Sequence, residues 1–243
     1  MALKYESVTV VIGATDEKDS LIETVDTVLE SCDASDIDYF LIVVPKSATS
    51  ECLGAIDFLK EKYPDKVKKL VQKRPYLGGA MRDSIDFSTS SHIMFLSADI
   101  PTGLDCVPVM IKKAKEMPDT IIKTSRWLEK SSFYGYDKTR KFFNFCAQKF
   151  LRVLFNFNLT DFTSPVLASP TSIYKKVNFT ELNFPCLLES VLIPIRMGCK
   201  FYEVPAKCYQ RTEGKSKNSV FQTVLYLKTA FSVRFRKKEK LTK

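Results

Sequence analysis

A single acid ends an apolar run in the segment LSADIPTG, residues 96–103. The preceding residues, His92 to Leu96, predict a short buried strand, and Asp99 stands in the polar turn that follows it. Carboxylate oxygens at such a strand end suit Mg²⁺ or Mn²⁺, the metals that nucleotide-using enzymes commonly employ. Two interpretations stay open on these residues alone: a nucleotide site with one metal ligand, or an ordinary strand and turn.

Polar and glycine residues also follow other predicted strands. Predicted strands and helices alternate four times between residues 7 and 124, which indicates βαβ units and a mostly parallel sheet. Ligands of such sheets bind beyond the carboxyl ends of the strands. The candidates at these ends are Gly13, Ala14 and Glu17 after the first strand, Gly78 and Gly79 after the third, Ser97, Ala98 and Asp99 after the fourth, and Arg126 after the fifth.

The predicted elements describe one α/β domain. Strands are predicted over 7–13, 38–44, 67–72, 91–96, 120–124 and 200–204, and helices over 16–31, 50–62, 78–87, 103–116, 140–157, 184–197 and 219–236. Residues 164–177 are mixed and leave room for a short strand. We expect the C-terminal third to fold back over the sheet.

Composition excludes several classes of protein. No apolar run approaches 18 residues, and the N-terminus lacks the basic and apolar regions of a signal peptide. Seven cysteines without a C-x-x-C pair predict reduced thiols and a cytoplasmic location, and they argue against structural zinc. The single histidine, His92, opens an apolar strand, so we expect a strand residue rather than a catalytic one.

The positive charge is confined to the end of the chain. Residues 206–243 carry 11 Lys or Arg and two Glu, which accounts for the whole net charge of +9. A local basic segment predicts an anionic partner, such as ligand phosphates, an anionic membrane or nucleic acid; a solvated tail is the plain alternative.

Eight stretches, taken in order, resemble the family 2 glycosyltransferases of the GT-A fold, most closely the branch of dolichol- and polyprenyl-phosphate mannose synthases. The resemblance spans about residues 7–220. The stretches are VTVVIGATDEKDSL, RPYLGGAMRDSI, FLSADIP, KTSR, the spacing Arg140…Asn144…Asp161, Pro185…Glu189, GCKFYEVP and RTEGKSK. The resemblance implies a Rossmann-like GT-A sheet with flanking helices over 1–218, followed by an amphipathic basic helix and tail over 219–243.

The resemblance also implies roles for the candidate residues. Asp99 would hold Mg²⁺ or Mn²⁺, and the glycines and loop residues named above, with Glu17 and Ser97, would contact the donor. Asp161 would act as base or orienting group for the acceptor, with Glu189 as second candidate; on sequence alone Asp161 is equally a helix cap. Phosphates would be bound by Arg126, Arg211, Lys215, Ser216 and Lys217.

Two positions depart from the family pattern. Ser97 replaces the first acid of the D-x-D motif, and a hydroxyl is a poorer metal ligand than a carboxylate. After the second strand, Val44-Pro45-Lys46 replaces the acidic pair that helps recognise the nucleotide. The metal would therefore be held weakly or be absent, and the nucleotide would be unusual or no longer bound.

Three functions follow as hypotheses. The first is inverting transfer of a sugar from a nucleotide sugar to a polyprenyl phosphate or another lipid or glycan acceptor, at a membrane surface or with a membrane partner protein. The second is a non-catalytic GT-A domain that serves as a scaffold or partner subunit. The third, a nucleic-acid-binding module, has only the basic end in its favour, since no reading helix or RNA motif is recognisable.

Overall fold

The computed structural model describes residues 3–98, 103–129, 132–135, 137–209 and 220–243, with the backbone alone at residues 140 and 220–223. Strands and helices alternate along most of this length. The elements are β1 (Val8–Gly13), α1 (Asp19–Ser31), β2 (Ile37–Val44), α2 (Ser50–Lys62), β3 (Val67–Val71), α3 (Tyr76–Phe87), β4 (His92–Ser97), α4 (Cys106–Glu116), β5 (Thr120–Ser125), α5 (Lys138–Phe155), β6 (Leu167–Pro170), α6 (Thr171–Lys176), α7 (Cys186–Arg196), β7 (Lys200–Pro205) and α8 (Val220–Phe235).

The strands form one seven-stranded sheet in the order β3-β2-β1-β4-β6-β5-β7. Strands β1 to β4 pair in parallel, as do β5 and β7, which confirms the mostly parallel sheet. Strand β6 is antiparallel to both of its neighbours. Because β6 runs the other way, the chain that leads into it lies at the carboxyl edge of the parallel strands, and this chain contains Asp161.

The sheet is covered by helices on both faces, because its central strands are apolar on both sides. Val10 and Ile12 of β1 belong to a core that also contains residues of α1, α2 and α4. Val11 belongs to a second core with residues of α3, α5, α7 and α8. This three-layer arrangement is what near-continuous apolar strands of a parallel sheet require.

The described part of the predicted tail packs into the second core. Ala230 and Val233 of α8 are fully buried, and Tyr226 donates a hydrogen bond to the carbonyl oxygen of Phe184 at 3.2 Å. The end of the chain pairs with residues 176–178, where the Asn178 amide donates to Leu241 and the Lys243 amide donates to Lys176. The basic end is thus anchored to the α/β core. Within the described ranges, no helix has the length and apolarity needed to cross a bilayer.

His92 is the buried strand residue that its sequence context predicts. Its Nε2 lies 3.1 Å from the carbonyl oxygen of Pro118, and its Nδ1 lies 3.1 Å from Ser91 Oγ. Burial lowers the pKa of His92 to about 4, although the Pro118 carbonyl opposes this shift. The fold therefore holds a neutral imidazole at neutral pH.

This histidine predicts a loss of stability in mild acid. Between pH ~6.5 and ~4 the unfolded chain binds a proton that the folded chain does not. The free energy of unfolding therefore decreases as the pH decreases, by roughly 3 kcal/mol in total. We expect His92→Gln, whose amide can still donate to Pro118, to show a shallower decline. Urea unfolding at pH 7, 5.5 and 4.5, followed by Trp127 fluorescence, measures both slopes. Identical slopes would contradict this account of His92.

Candidate active site at the carboxyl edge of the sheet

The carboxyl ends of β1 and β4 lie side by side. Gly13 is paired in register with Ser97 on one side and with Val43 on the other. Gly13 is exposed, Ser97 is half-buried, and Ala98 is buried behind them. The structure thus brings the predicted donor residues of these two strands together. Asp99, the predicted metal ligand, lies outside the described residues.

Glu17 shapes the loop that follows β1. Its carboxylate accepts hydrogen bonds from the backbone amides of Thr15 at 2.8 Å and Asp16 at 3.2 Å. The Thr15 carbonyl in turn accepts from the amide of Thr49, at the start of α2. The predicted donor residue Glu17 therefore stabilises the β1–α1 loop, which contacts the start of α2.

Gly78 and Gly79 have a packing role. A Cβ atom on Gly78 would lie 2.2 Å from the carbonyl oxygen of Glu181, and one on Gly79 would lie 2.4 Å from that of Arg74. Both glycines are buried, and the Gly78 amide donates to Leu182 at 2.7 Å. Protein backbone fills the space beside them, so these glycines serve helix packing, and their donor contact stays a prediction.

A buried ion pair joins the ends of β5 and of the chain entering β6. Arg126 donates to the Asp161 carboxylate through Nε at 2.7 Å and Nη2 at 2.9 Å. The side chains are 10% and 0% exposed. Asp161 also accepts from the backbone amides of Arg126, Thr163 and Ser164. Residues 162–164 do not begin a helix, so Asp161 is not a helix cap. It anchors the turn of residues 160–164, which we call the 160–164 turn.

The electrostatics of this pair favour an orienting role for Asp161 over that of a base. Burial raises the pKa of Asp161, but the charge and hydrogen bonds of Arg126, together with the charge of Lys123, outweigh it and lower the pKa to about 2. Burial in turn lowers the pKa of Lys123, on β5, to about 8, against the attraction of Asp161. A carboxylate with so low a pKa and so many donors is a weak proton acceptor.

Glu203 holds the same turn from β7. Its carboxylate accepts from the amide of Thr160 at 2.8 Å, from Thr160 Oγ1 at 2.8 Å and from the amide of Asp161 at 2.9 Å. Sequence reasoning missed this residue. The available signal was the single acid inside the strand KFYEVP, because a half-buried carboxylate needs a hydrogen-bonding partner.

Helix α5 is tied to the site by amide side chains. Gln148 accepts from the amide of Phe162 at 2.7 Å and donates to Thr163 Oγ1 at 2.9 Å. Asn144 accepts from Trp127 Nε1 at 3.2 Å and from Gln148 at 3.1 Å. A cavity of about 240 Å³ opens beside this network, lined by Trp127, Phe145, Gln148, Lys149, Arg152 and Thr160.

Glu189, the second predicted acceptor residue, has an anchoring role. It is fully buried on α7, and its carboxylate accepts from the amides of Thr180 and Glu181 and from Thr180 Oγ1. Arg236, just after α8, completes the set at 3.1 Å. These contacts fix α8 to α7, and they account for both carboxylate oxygens without a substrate.

The chain that leaves β7 runs along the rim of the site. The Ala206 amide donates to Ser125 at 3.0 Å, and the Cys208 amide donates to Ser132 at 2.6 Å. The rings of Tyr209 and Tyr134 are stacked, with centroids 5.0 Å apart. Tyr209, the last described residue before the predicted basic loop, therefore lies at this rim. The loop residues Arg211, Lys215, Ser216 and Lys217 lie outside the described residues.

The described residues hold no ready-made metal centre. Among them, no three His, Cys, Asp or Glu side chains come close enough together to bind a metal ion. Ser97 is the only member of the S-A-D motif with a polar side chain in the described ranges. A divalent cation at this edge would need further ligands, and Asp99, the predicted one, lies outside the described residues.

The family model described as "Glycosyl transferase family 2" matches residues 9–179. The chain belongs to glycosyl transferase family 2. This match includes the ends of β1, β4 and β5 and the 160–164 turn, so the site described above lies inside the family's own domain. It confirms the family that the motifs resemble and establishes the enzyme class as a glycosyltransferase.

Solved structures confirm the fold. Glucosyl-3-phosphoglycerate synthase from Mycobacterium tuberculosis, in complex with Mn²⁺, uridine diphosphate and phosphoglyceric acid, matches with a TM-score of 0.67 and 16% identity over 95% of this chain and 79% of that one. The same enzyme with Mn²⁺, uridine-diphosphate-glucose and phosphoglyceric acid matches with a TM-score of 0.68 and 15% identity over 94% and 80%. At this identity the likeness shows the GT-A fold.

The buried ion pair predicts that losing one partner destabilises the protein more than losing both. Asp161→Asn would remove the charge that Arg126 contacts at 2.7 Å, and breaking a buried pair costs about 3–5 kcal/mol of unfolding free energy. The double variant Arg126→Met/Asp161→Asn removes the charge as well, so we expect it to be more stable than Asp161→Asn alone. Urea unfolding measures all three proteins.

A matched control is available on the surface. Glu116→Gln breaks the exposed 2.7 Å pair between Lys113 and Glu116 on α4, and exposed pairs contribute little. If Asp161→Asn were no more destabilising than Glu116→Gln, the anchoring role of the Arg126–Asp161 pair would be refuted.

Proposed function

We propose that the chain transfers a sugar, with inversion, from a nucleotide sugar to a phosphate-bearing acceptor, with a polyprenyl phosphate or a related lipid phosphate as the preferred candidate. The observation that carries this proposal is Arg126, whose guanidinium is fixed by a buried carboxylate at the carboxyl edge of the sheet. Such an edge is where ligands of open α/β sheets bind.

Departure of the nucleotide concentrates negative charge on its diphosphate, so a transferase site needs fixed positive charge. Asp161 already offsets the charge of Arg126, because the two groups are in direct contact and both are buried. The pair therefore orients the guanidinium of Arg126 and adds little net charge to the site. We assign the net charge to Arg211, Lys215 and Lys217, with Ser216 as a further phosphate contact, on the chain that begins at Tyr209.

We propose that Mg²⁺ or Mn²⁺ assists donor binding. The Mycobacterium tuberculosis enzyme binds Mn²⁺ with uridine diphosphate, and carboxylate and phosphate oxygens suit either ion. In this chain Asp99 would be the metal ligand, with Ser97 contributing at most a hydroxyl. When bound, the ion would offset charge on the diphosphate; its affinity should be low because one carboxylate has been replaced.

The acceptor side follows from the chemistry of a phosphomonoester. Its second pKa is about 6, so it is already dianionic at neutral pH and needs alignment more than deprotonation. A pKa of about 2 makes Asp161 suited to that task, since it keeps Arg126 aimed without competing for a proton. The structural neighbour binds phosphoglyceric acid, another phosphate-bearing acceptor, which supports the broader class. The lipid form would place the protein at the cytoplasmic side of a membrane, reached through the 219–243 segment or a membrane partner.

A second candidate function is that of a GT-A domain which has lost its donor and serves as a partner subunit. Ser97 and the Val44-Pro45-Lys46 segment favour it, because both acidic positions of the family pattern are replaced. Nucleoside diphosphate binding separates the two candidates.

The metal proposal predicts a gain of affinity on restoring a carboxylate. We expect Ser97→Asp to tighten Mn²⁺ binding in the presence of a nucleoside diphosphate by about tenfold, since ligand charge sets the affinity of such sites. Asp99→Ala should abolish this binding, and Glu51→Ala on the exposed start of α2 should leave it unchanged. Calorimetry with uridine and guanosine diphosphates measures this. If none of these proteins binds either nucleotide, the non-catalytic function is supported instead.

The basic loop predicts a specific loss of turnover. Lys215→Ala/Lys217→Ala should lower kcat for sugar transfer by about 100-fold, the usual cost of removing groups that stabilise charge in the transition state. Lys175→Ala/Lys176→Ala removes the same charge from two exposed positions of α6 and should leave kcat unchanged. Release of nucleoside diphosphate from a donor panel is the assay. An equal loss in both variants would indicate a general charge effect and would remove the loop from the site.

A further inference from the structure

Two neighbouring helices expose apolar side chains in continuous stripes, which we call the α5–α8 face. Val153 is 82% exposed, Phe235 is 74% exposed and Phe142 is 62% exposed. The face consists of Phe142, Cys146, Phe150 and Val153 on α5 and of Val224, Leu227, Phe231 and Phe235 on α8. The spacing of three to four residues places each set along one side of its helix.

The two stripes form one surface. The rings of Phe150 and Phe231 meet with centroids 5.9 Å apart, and Phe231 stacks on Phe235 at 6.4 Å. Arg234 Nε donates to the carbonyl oxygen of Leu154 at 2.8 Å and so ties α8 to α5. Contiguous exposed apolar patches of this kind mark contacts with a protein or a membrane.

The charge of these helices favours a membrane over a second copy of the chain as the partner of this face. Helices α5 and α8 together contain seven Lys or Arg and no Asp or Glu, although Asp137 and Glu239 lie just beyond their ends. A second copy of the chain would bring seven cations against seven, which opposes self-association. An apolar face on helices whose own charged residues are all cations matches the headgroups and acyl chains of an anionic bilayer.

We propose that the α5–α8 face docks on an anionic phospholipid surface, with α5 supplying half of the contact. This extends the membrane contact beyond the 219–243 segment to a helix inside the family domain. The proposal rests on the proposed function in one respect, the lipid-borne acceptor that gives the docking its purpose.

The position of the face relative to the site supports this assignment. The cavity between α5 and the residues next to the ion pair, Trp127 and Thr160, is also lined by Phe145, Lys149 and Arg152 of α5. Lys149 and Arg152 directly precede Phe150 and Val153 in the sequence of α5. An acceptor whose chain stays in the bilayer would therefore present its phosphate to two cations on the way to the site.

Vesicle flotation tests the docking directly. We expect the protein to float with vesicles of 70% phosphatidylcholine and 30% phosphatidylserine and not with pure phosphatidylcholine. We expect Phe142→Ser/Val153→Ser/Phe235→Ser to reduce the bound fraction by about tenfold or more, because apolar contact supports such binding. These side chains are the most exposed of the face, so folding, checked by thermal melting, should be preserved.

Matched controls define the outcome. Leu3→Ser/Phe58→Ser/Val109→Ser removes three exposed apolar side chains elsewhere and should bind like the parent protein. Lys149→Glu/Lys228→Glu should abolish the preference for anionic vesicles. Absence of binding by the parent protein, or equal losses in both serine triples, would overturn the proposal. So would a dimer in sedimentation equilibrium that the face triple dissociates, since the face would then be a contact between copies.

A tryptophan placed on the face reports which surface docks. In Trp127→Phe/Val153→Trp the one tryptophan replaces the most exposed side chain of the face, so brominated lipids should quench its fluorescence if α5 lies on the bilayer. Unquenched fluorescence in bound protein would place the contact elsewhere and overturn the assignment. These measurements use no donor, so vesicle binding without sugar transfer would refute the proposed function alone, and transfer without vesicle binding would refute the docking alone.

Discussion

The contact between Arg126 and Asp161 is the constraint on which the rest of the site depends. Removing two charges from water is costly, and only direct pairing with further hydrogen bonds makes it tolerable. Asp161 meets that condition with two bonds from the guanidinium and three from backbone amides. The pair therefore fixes the backbone of the 160–164 turn as well as the direction of Arg126, at the place where β5 ends.

Several neighbouring side chains stabilise the turn that carries this pair. Glu203 fixes the start of the turn from β7, Gln148 fixes its middle from α5, and Lys123 donates to the carbonyl of Ser164 at its end. Three elements that are distant in sequence thus converge on five consecutive residues. In a buried network every member needs its partner, so a change in any of them would reach Arg126 through the turn.

The sequence was sufficient for the parallel part of the fold and insufficient for the part that makes the site. Strands β1 to β5 and their helices were predictable, because each has a clear apolar period and a glycine, proline or polar end. For β6 the sequence allowed only a short strand somewhere within 164–177, and its direction was not predictable, since that depends on pairing with β4 and β5. Without that direction, the meeting of Asp161 with Arg126 could be expected only by resemblance to a family.

Single residues show the same dependence on tertiary contacts. Gly78 and Gly79 look like a phosphate-binding pair in sequence, yet the backbone that approaches them comes from residues 181 and 74. Glu189 looks like a site acid, yet its partners come from residues 180–181 and 236. In each case the local pattern correctly signals a constrained residue, and only the tertiary contact shows what imposes the constraint.

Helix α5 shows how one element can serve two environments. Asn144 and Gln148 are four residues apart and point toward the site, where they bond to Trp127 and to the 160–164 turn. Phe142, Phe150 and Val153 occupy the opposite side and are exposed. A helix is stiff over this length, so a surface that positions the apolar side also positions the amide side, and through Gln148 it positions the turn that carries Asp161. Docking and site geometry are therefore mechanically linked through a single helix, without any hinge between them.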